Sequence, residues 1–437
     1  MKHKTIQLII LVCLSTLITF YQFNQVPKNL SFDEVEFTKL SLSLQGKPYI
    51  PYSELATGHS TLYFYVLLGS FKLFGINNFA LRFPSALFGI LNVIVFYLIL
   101  RNSRFPTIQN SKFKILNSYY PLILSLIFLS LRWYFNFSRF AFEATFLLFL
   151  ELCSLFFLLK EKPNLIISGL FAGLAFNSYT PGRIFFLVPL FYLFITKNEV
   201  PLTFPYDEIT LQPNGERNPA VAPLNGAKED KSKIFPFLIS FLILIIPLSF
   251  YLIRNPDIRV NQQSYLTNNS ISLINKSSYL GQNIIKTTLM LNFRGDINGR
   301  HNYPLKPALN PMIGLLFLAG IIIAIRQRQN KINQLFLIYF IISLIPTLLT
   351  YPHENPHMLR TFTVIPSVVY FVGLGLYWTI KFIPNRFKKI SIYIVFALLI
   401  LSAIYEARTY FYYQNQVFKQ AFEIMKDISE VIGKKVL

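Results

Sequence analysis

Two adjacent acidic residues, Asp33 and Glu34, follow the first apolar segment and are the strongest candidates for chemistry in the sequence. Ser31 can cap a short helix that begins at about Phe32, which places both carboxylates in the positive first turn of that helix. A carboxylate in this position can take a proton from an attacking group, as a general base. Helix capping alone explains the same residues, so both interpretations remain open.

A second candidate is the stretch HENPH, from His353 to His357, which has the H-E-x-x-H spacing of zinc proteases. That motif needs both histidines on one helical face and a third ligand from elsewhere. Pro356 forbids an interior helical hydrogen bond, Pro352 adds a second break, and no third-ligand motif follows. An ordered loop is the favoured interpretation, and a zinc metalloprotease through His353, Glu354 and His357 is a weak alternative.

The composition requires these residues to be positioned by membrane helices. The chain has 437 residues, of which 53% are hydrophobic and only 14% charged. A soluble domain carries about 25% charged residues, so this chain cannot cover a water-facing surface in the usual way. The net charge of +21 is interpreted as a topology signal, and no nucleic-acid partner is expected. The sequence therefore predicts an all-α polytopic membrane protein.

Lysine and arginine collect in short connections that are nearly free of acid, which places those connections and the N-terminus in the cytoplasm. About eleven transmembrane helices fit this constraint. The first is predicted to be an uncleaved helix, and residues 61–75 a helix at the outer interface. The predicted spans are 6–23, 79–100, 118–131, 141–159, 163–178, 184–196, 234–252, 309–325, 332–350, 361–380 and 390–405.

This topology gathers polar residues on the extracytoplasmic side, in loops at about 24–78, 132–140, 179–183, 253–308 and 351–360. Residues 197–233 are predicted to be a cytoplasmic linker, and residues 406–437 a short extracytoplasmic C-terminal helix that follows a membrane domain of residues 1–405. Charges near helix ends need a partner or water. One outward-facing polar chamber is therefore expected. It includes His59, Arg139, Glu143, Arg183, Arg259, Asp296, Arg300, His301, His357 and Arg360.

Several blocks of sequence resemble a known family. They are FDEVEFTKLSLSLQGKPYIPY, the stretch from His59 to Leu100 with its LFG and FALRFPSAL elements, SRFAFEATFLLF, GLAFNSYTPGRIFFLVPL, FRGDINGRHNYPLKPALNPMIGLLFLAGI and NPHMLRTFTVIPSVVYFVGLGL. Over about residues 1–380 the chain is similar to the GT-C membrane glycosyltransferases, in particular the protein O-mannosyltransferase and lipid A aminoarabinose-transferase (ArnT-like) group. It departs at Ser60-Thr61, where members often have two prolines after the histidine.

The resemblance implies a GT-C fold and an inverting transfer of a sugar from a polyprenyl phosphate to an acceptor outside the cytoplasmic membrane. Such a transfer needs a carboxylate base and positive charge at the departing phosphate. Asp33 is the predicted base, with Glu34 and Glu143 as further carboxylates. The predicted phosphate ligands are Arg360, His59, Arg259, Arg183 and Arg139, with Arg360 preferred. The predicted sugar or acceptor contacts are Asp296, His301, Asn302 and His357.

No cofactor or metal is expected, because the first loop lacks a D-x-D or a comparable carboxylate pair with the spacing of metal ligands. A transporter or flippase of lipid-linked sugars is the alternative from another class. It would be expected to carry polar residues in mid-membrane and internal repeats, and the sequence shows neither. The sugar, the acceptor (protein, lipid or glycan) and the oligomeric state are not encoded in any motif found here. The lipid bilayer is the partner that the composition does establish.

Overall fold

The computed structural model describes residues 2–102, 114–196, 234–384 and 386–433. Its α-helices are α1 Lys2–Phe20, α2 Phe32–Ser43, α3 Leu62–Phe74, α4 Asn78–Asn102, α5 Lys114–Ser130, α6 Arg132–Phe137, α7 Ala144–Leu158, α8 Leu165–Phe176, α9 Leu187–Thr196, α10 Ile234–Arg254, α11 Ile258–Gln263, α12 Leu273–Asn292, α13 Pro311–Arg326, α14 Lys331–Leu348, α15 Ile365–Phe382, α16 Lys388–Arg408, α17 Asn415–Ala421 and α18 Ile428–Ile432.

Short irregular elements connect these helices. Strands β1 (Tyr52–Ser53) and β2 (His59–Ser60) pair antiparallel, with Ser53 opposite His59. Short 3₁₀ turns cover Leu55–Thr57, Thr180–Ile184, Pro352–Glu354 and Phe362–Val364, and a π-helical turn covers Thr409–Gln414. The all-α prediction is confirmed, because this small ribbon is the only sheet in the described part of the chain.

Each of the eleven predicted spans contains a helix. Five helical stretches within the described residues are long and apolar enough to cross a membrane, namely Asn78–Asn102, Ile234–Arg254, Lys331–Leu348, Phe362–Phe382 and Lys389–Ala421. Seven apolar helices are shorter, and one of these is α3, predicted to lie at the interface. The chain is therefore an integral membrane protein. The predicted linker at 197–233 lies outside the described residues.

Close helix contacts are possible where glycine replaces a larger side chain. Helices α13 and α15 pack so closely that a Cβ atom at Gly320 would overlap the Phe371 carbonyl oxygen. A Cβ atom at Gly375 would likewise overlap the carbonyl oxygen of Leu316. Membrane helices commonly associate through small residues in this way, because backbones can then approach and gain dispersion contacts.

A buried acid inside a span was missed in the sequence. Glu151 lies in α7, is buried, and accepts a hydrogen bond of 2.6 Å from the Tyr339 hydroxyl of α14. The expectation of spans without internal polar residues is therefore wrong at this position. A single acid among the leucines and phenylalanines of ATFLLFLELCSLFFL gives no periodic pattern, and its partner is 188 residues away.

The loops meet at one end of the helix bundle, which we call the loop face, formed by residues 21–61, 253–310 and 350–362. Backbone bridges join Leu30 to Ile424 and Ser264 to Thr350. The region predicted as a short C-terminal helix is divided among the end of α16, the π-helical turn, α17 and α18. It turns after Ala421 because Phe422 is buried and Ile424 pairs with the first loop.

Candidate active site on the loop face

The acidic pair lies at the start of α2, as the sequence predicts. Ser31 caps the helix: its hydroxyl accepts from the Glu34 backbone N–H at 3.2 Å, and its own N–H donates to Glu34 Oε2 at 3.0 Å. This reciprocal capping box fixes the first turn of α2. Asp33 follows on the same turn with its side chain 43% exposed, whereas Glu34 is fully buried. The two neighbouring carboxylates therefore lie in different environments.

Glu34 is part of a buried ion pair with Arg82 of α4. The Arg82 Nε donates to Oε1 at 2.8 Å and Nη2 donates to Oε2 at 3.1 Å. The Ala141 backbone N–H also donates to Oε1 at 3.2 Å. Because both oxygens are already used, the structure corrects the catalytic assignment of Glu34: it holds the start of α2 in place. Arg82 carried a signal in the sequence, since an arginine inside a predicted span needs a partner.

Asp33 is bound by Arg300 from a loop 267 residues later. The Arg300 Nη1 donates to Asp33 Oδ2 at 2.6 Å, and the two side chains are 25% and 43% exposed. Arg300 was placed in the polar chamber by the sequence but was given no role. Nothing in the sequence signals this pair, because the long separation hides it. The pair is open enough to water to exchange partners.

A second network joins His59 of β2, Glu143 at the start of α7 and Arg259 of α11. His59 Nδ1 lies 2.6 Å from Glu143 Oε1, and Arg259 Nη1 lies 2.6 Å from His59 Nε2. Arginine can only donate, so the network assigns a neutral imidazole that accepts at Nε2 and donates from Nδ1 to the carboxylate. Burial lowers the pKa of His59 and the Arg259 guanidinium lowers it further, although Glu143 opposes them.

Local backbone geometry presents His59 to this network. Gly58 has φ +89°, and a Cβ atom there would overlap the Tyr52 hydroxyl. A residue with a side chain would be strained in this conformation, so glycine is needed directly before His59. The β1–β2 pairing then orders Ser60, where the sequence departs from the family's two prolines.

The Arg259 guanidinium also lies over the ring of the buried Tyr179, 5.6 Å from the ring centre. Across the described residues, no carboxylate lies within ion-pairing distance of Arg259.

Arg139 lies elsewhere than predicted. Its guanidinium donates to five carbonyl oxygens at the end of α1 and just beyond it, those of Ile18, Thr19, Tyr21, Gln22 and Val26. All of its donors are used, so the assignment of Arg139 to a phosphate is corrected to a helix cap. The expected face shared with Glu143 is also absent, because α6 ends at Phe137 and α7 begins only at Ala144.

Two other predicted phosphate ligands already have carboxylate partners. Arg183 pairs with Asp257, which also accepts from the Tyr52 hydroxyl at 3.2 Å. Arg360 pairs with Glu354 and is nearly buried. The sequence-based preference for Arg360 therefore weakens in favour of Arg259, whose charge has no such partner.

The remaining predicted contacts form a group on the neighbouring loops. Asp296 Oδ2 accepts from His301 Nδ1 at 2.9 Å and from the Met358 N–H at 2.9 Å. The His357 ring lies beside the His301 ring, tilted by 47° with the ring centres 4.7 Å apart. Asn302 is fully buried and bonds Arg132 and the carbonyl oxygens of Asp296 and Lys306, so it supports the loop from within.

The H-E-x-x-H match does not form a zincin site. Pro352–Glu354 is a short 3₁₀ turn, and the His353 side chain is 76% exposed. Glu354 pairs with Arg360, so it is not positioned beside a metal-bound water. The expected disruption by the prolines agrees with this geometry.

Comparisons with known proteins agree with this architecture. Residues 58–207 match the family model of dolichyl-phosphate-mannose-protein mannosyltransferases. The crystal structure of ArnT from Cupriavidus metallidurans bound to undecaprenyl phosphate is similar with a TM-score of 0.53 and 14% identity, over 97% of this chain and 77% of that chain.

The apo ArnT structure gives a TM-score of 0.52 and 13% identity, over 96% of this chain and 77% of that chain. No curated protein matches the sequence. The resemblance of the chain to GT-C membrane glycosyltransferases, seen first in its sequence blocks, is confirmed at the level of the fold.

Proposed function

We propose that this protein is a membrane glycosyltransferase that moves a sugar from a polyprenyl-phosphate donor to an acceptor on the extracytoplasmic face. One observation carries the proposal: the partly exposed carboxylate of Asp33 and the guanidinium of Arg259, which has no carboxylate partner among the described residues, both lie on the loop face of an ArnT-like fold. A carboxylate base and a cation for a leaving phosphate are the two groups that such a transfer needs.

Arg259 is the proposed ligand of the donor phosphate. Guanidinium groups match phosphate oxygens with paired N–H donors, and no carboxylate among the described residues pairs with this one. The neutral His59 accepts one of its hydrogen bonds and fixes the side chain without adding a competing negative charge. Positive charge fixed at this point would stabilise the phosphate as its bond to the sugar breaks.

Asp33 is the proposed base. It would exchange Arg300 for an acceptor group, take the proton from that group, and let the attacking atom displace the lipid phosphate with inversion at the anomeric carbon. Glu143 is the proposed second carboxylate, because its buried Oε2 has no hydrogen-bond partner and could accept from a sugar or acceptor hydroxyl. The further proposed contacts of the donor phosphate are Arg183, Arg360 and His59.

The same proposal covers the metal requirement, the sugar or acceptor contacts and the topology. Transfer is proposed to require neither a cofactor nor a metal at the anomeric carbon. Asp296, His301 and His357 stay predicted contacts of sugar or acceptor. The N-terminus is placed in the cytoplasm and the loop face outside the cytoplasmic membrane, on the basis of the lysine- and arginine-rich short connections.

Donor consumption by the purified protein tests this proposal. We would offer a panel of polyprenyl-phosphate sugars, with and without chelator, to the wild type and to Asp33→Asn. The matched control is Glu36→Gln, also on α2, because Glu36 is exposed and paired only with Lys39. The expected result is donor cleavage by the wild type and the control, and a loss of about 10²–10⁴-fold in Asp33→Asn.

Other outcomes would change the conclusion. Equal turnover by Asp33→Asn would show that Asp33 belongs only to the start of the helix and is not the base. A panel untouched by the wild type, combined with movement of the same lipids across vesicles, would favour the flippase.

A further inference from the structure

Two loops on the loop face bring three metal-ligating side chains together. Asp296 and His301 come from the loop after α12, and His357 comes from the loop after α14. Each offers one ligand atom, and these atoms lie within 4.8 Å of one another. Asp296 and His301 are buried and His357 is partly buried. The group is distinct from the His59, Glu143 and Arg259 network.

Backbone contacts hold Asp296 where both histidines can reach it. Its Oδ1 accepts from the Asn298 N–H at 2.8 Å, which fixes the turn that leads to His301. Its Oδ2 accepts from the Met358 N–H at 2.9 Å, which fixes the residue after His357. One carboxylate therefore sets the relative position of both loops. Preorganisation of this kind reduces the cost of ordering a ligand set.

The ring nitrogens differ in what they already bind. His301 Nδ1 lies 2.9 Å from Asp296 Oδ2, and an ion held by both atoms would take the place of the proton that they share. His357 Nδ1 accepts from the Arg360 N–H at 3.2 Å, and no hydrogen bond to its Nε2 occurs among the described residues.

We infer that Asp296, His301 and His357 bind a borderline transition-metal ion of the Zn²⁺ class, which links the two loops. Imidazole nitrogen and carboxylate oxygen are zinc ligands at about 2.0–2.2 Å, so ligand atoms around a tetrahedral ion lie roughly 3.3–3.6 Å apart. A movement of about 1 Å closes the present spacing to that value. Three protein ligands leave a fourth position for water, as zinc sites allow.

The two arginines on these loops already have carboxylate partners, since Arg300 pairs with Asp33 and Arg360 with Glu354. Arg259 is the remaining cation near His357, and it has no carboxylate partner among the described residues. Harder cations such as Mg²⁺ prefer oxygen ligands and near-ideal octahedral geometry, which two imidazoles do not supply. The composition of the group therefore selects the softer class of ion.

The ion has a positioning role in the proposed reaction. It links the loop that contains Arg300, the partner of Asp33, with the loop that contains Arg360. It takes no part in bond formation at the sugar. The expectation of no metal, drawn from the first loop, is thereby revised for this separate site. Of the H-E-x-x-H match, His357 contributes a ligand and His353 does not.

Metal binding by the full-length purified protein is the test, and its readouts do not depend on transferase activity. The protein is stripped with chelator and titrated with Zn²⁺ against a competing indicator, and then with Co²⁺ to record visible d–d absorption. Variants are His357→Gln, His301→Gln and Asp296→Asn. The control is His353→Gln, an exposed histidine in the same loop as His357.

We expect about one equivalent of Zn²⁺, a Co²⁺ spectrum typical of nitrogen and oxygen ligands, and affinity lowered more than about tenfold in each of the three variants but not in the control. The wild type should also unfold at a higher temperature with Zn²⁺ than with Mg²⁺, because an ion that binds only the folded state stabilises it.

Three results would overturn the inference. They are a wild type without a Co²⁺ spectrum or a Zn²⁺-dependent unfolding shift, undiminished binding in His357→Gln, and equal loss of binding in His353→Gln. The wild-type measurements decide the matter even if a variant fails to fold.

Discussion

The two sides of helix α2 differ in how their charges are held. Behind the helix, Glu34 and Arg82 form an ion pair with no exposure to solvent and with backbone groups on the remaining positions. In front of it, Asp33 and Arg300 form a pair that is 43% and 25% exposed. The two acids are consecutive in sequence, yet one is fixed and the other can change partners.

This difference supports Asp33, and not Glu34, as the proposed base. A buried charge without its partner is very costly, so Glu34 and Arg82 cannot separate during a reaction. An exposed pair contributes little to stability and can open at low cost. The fixed charges of Glu34 and Arg82 therefore hold the start of α2 in place, so that Asp33, the proposed base, can exchange Arg300 for a substrate group.

The largest expected effect is the loss of the buried pair. Arg82→Met leaves the Glu34 carboxylate buried and unpaired, which should cost about 3–5 kcal/mol of folding stability. The measurement is the thermal unfolding midpoint of the purified protein in detergent. A variant as stable as the wild type would mean that α2 is not held by this pair.

The next effect is on catalysis rather than stability. Arg259→Gln removes the charge proposed for the leaving phosphate, so kcat/KM should fall by about 10²–10³-fold while the unfolding midpoint stays near that of the wild type. Arg254→Gln is the control, because Arg254 is a nearby exposed arginine at the end of α10, stacked over Phe250. Equal losses in both variants would point to general surface charge.

A smaller effect should depend on pH. Burial raises the pKa of Asp257, but Arg183 and the Val260 N–H outweigh it and hold the pKa below the ordinary value of 3.8. The carboxylate is thus favoured in the folded state, and its contribution is present above about pH 4 and lost as the pH falls further. Asp257→Asn should cost about 1–2 kcal/mol at neutral pH.

Unfolding midpoints recorded across acidic pH check this prediction. The gap between the wild type and Asp257→Asn should narrow below about pH 4. A gap that is constant with pH would show that the charge of Asp257 is not what stabilises its loop.

The smallest effect should come from the exposed pair. Arg300→Met is the same kind of replacement as Arg82→Met, but it should change stability by less than about 1 kcal/mol because the charge left on Asp33 is in contact with water. The two arginine variants are compared in one unfolding experiment. Similar destabilisation in both would remove the distinction between the two sides of α2.

The sequence predicted the class of fold and the capped start of α2 because these depend on local patterns. The apolar runs predicted the helices, and the sequence of Ser31, Asp33 and Glu34 predicted the start of α2. Partnerships were not predictable, because they join residues hundreds of positions apart. Arg300 reaches Asp33 across 267 residues, and Arg139 uses its donors on carbonyl groups that no side-chain pattern reveals.

The support of α2 also has a consequence for the order in which the protein is made. Leu30 pairs with Ile424, the Asn29 side chain donates to the Phe422 carbonyl oxygen, and the Ile428 N–H donates to Asn78. The segment just before α2 therefore receives its last contacts from residues that leave the ribosome almost 400 positions later. During synthesis the acidic pair of α2 is therefore made long before these contacts can form. The segment before α2 has its full set of contacts only when synthesis has passed Ile428.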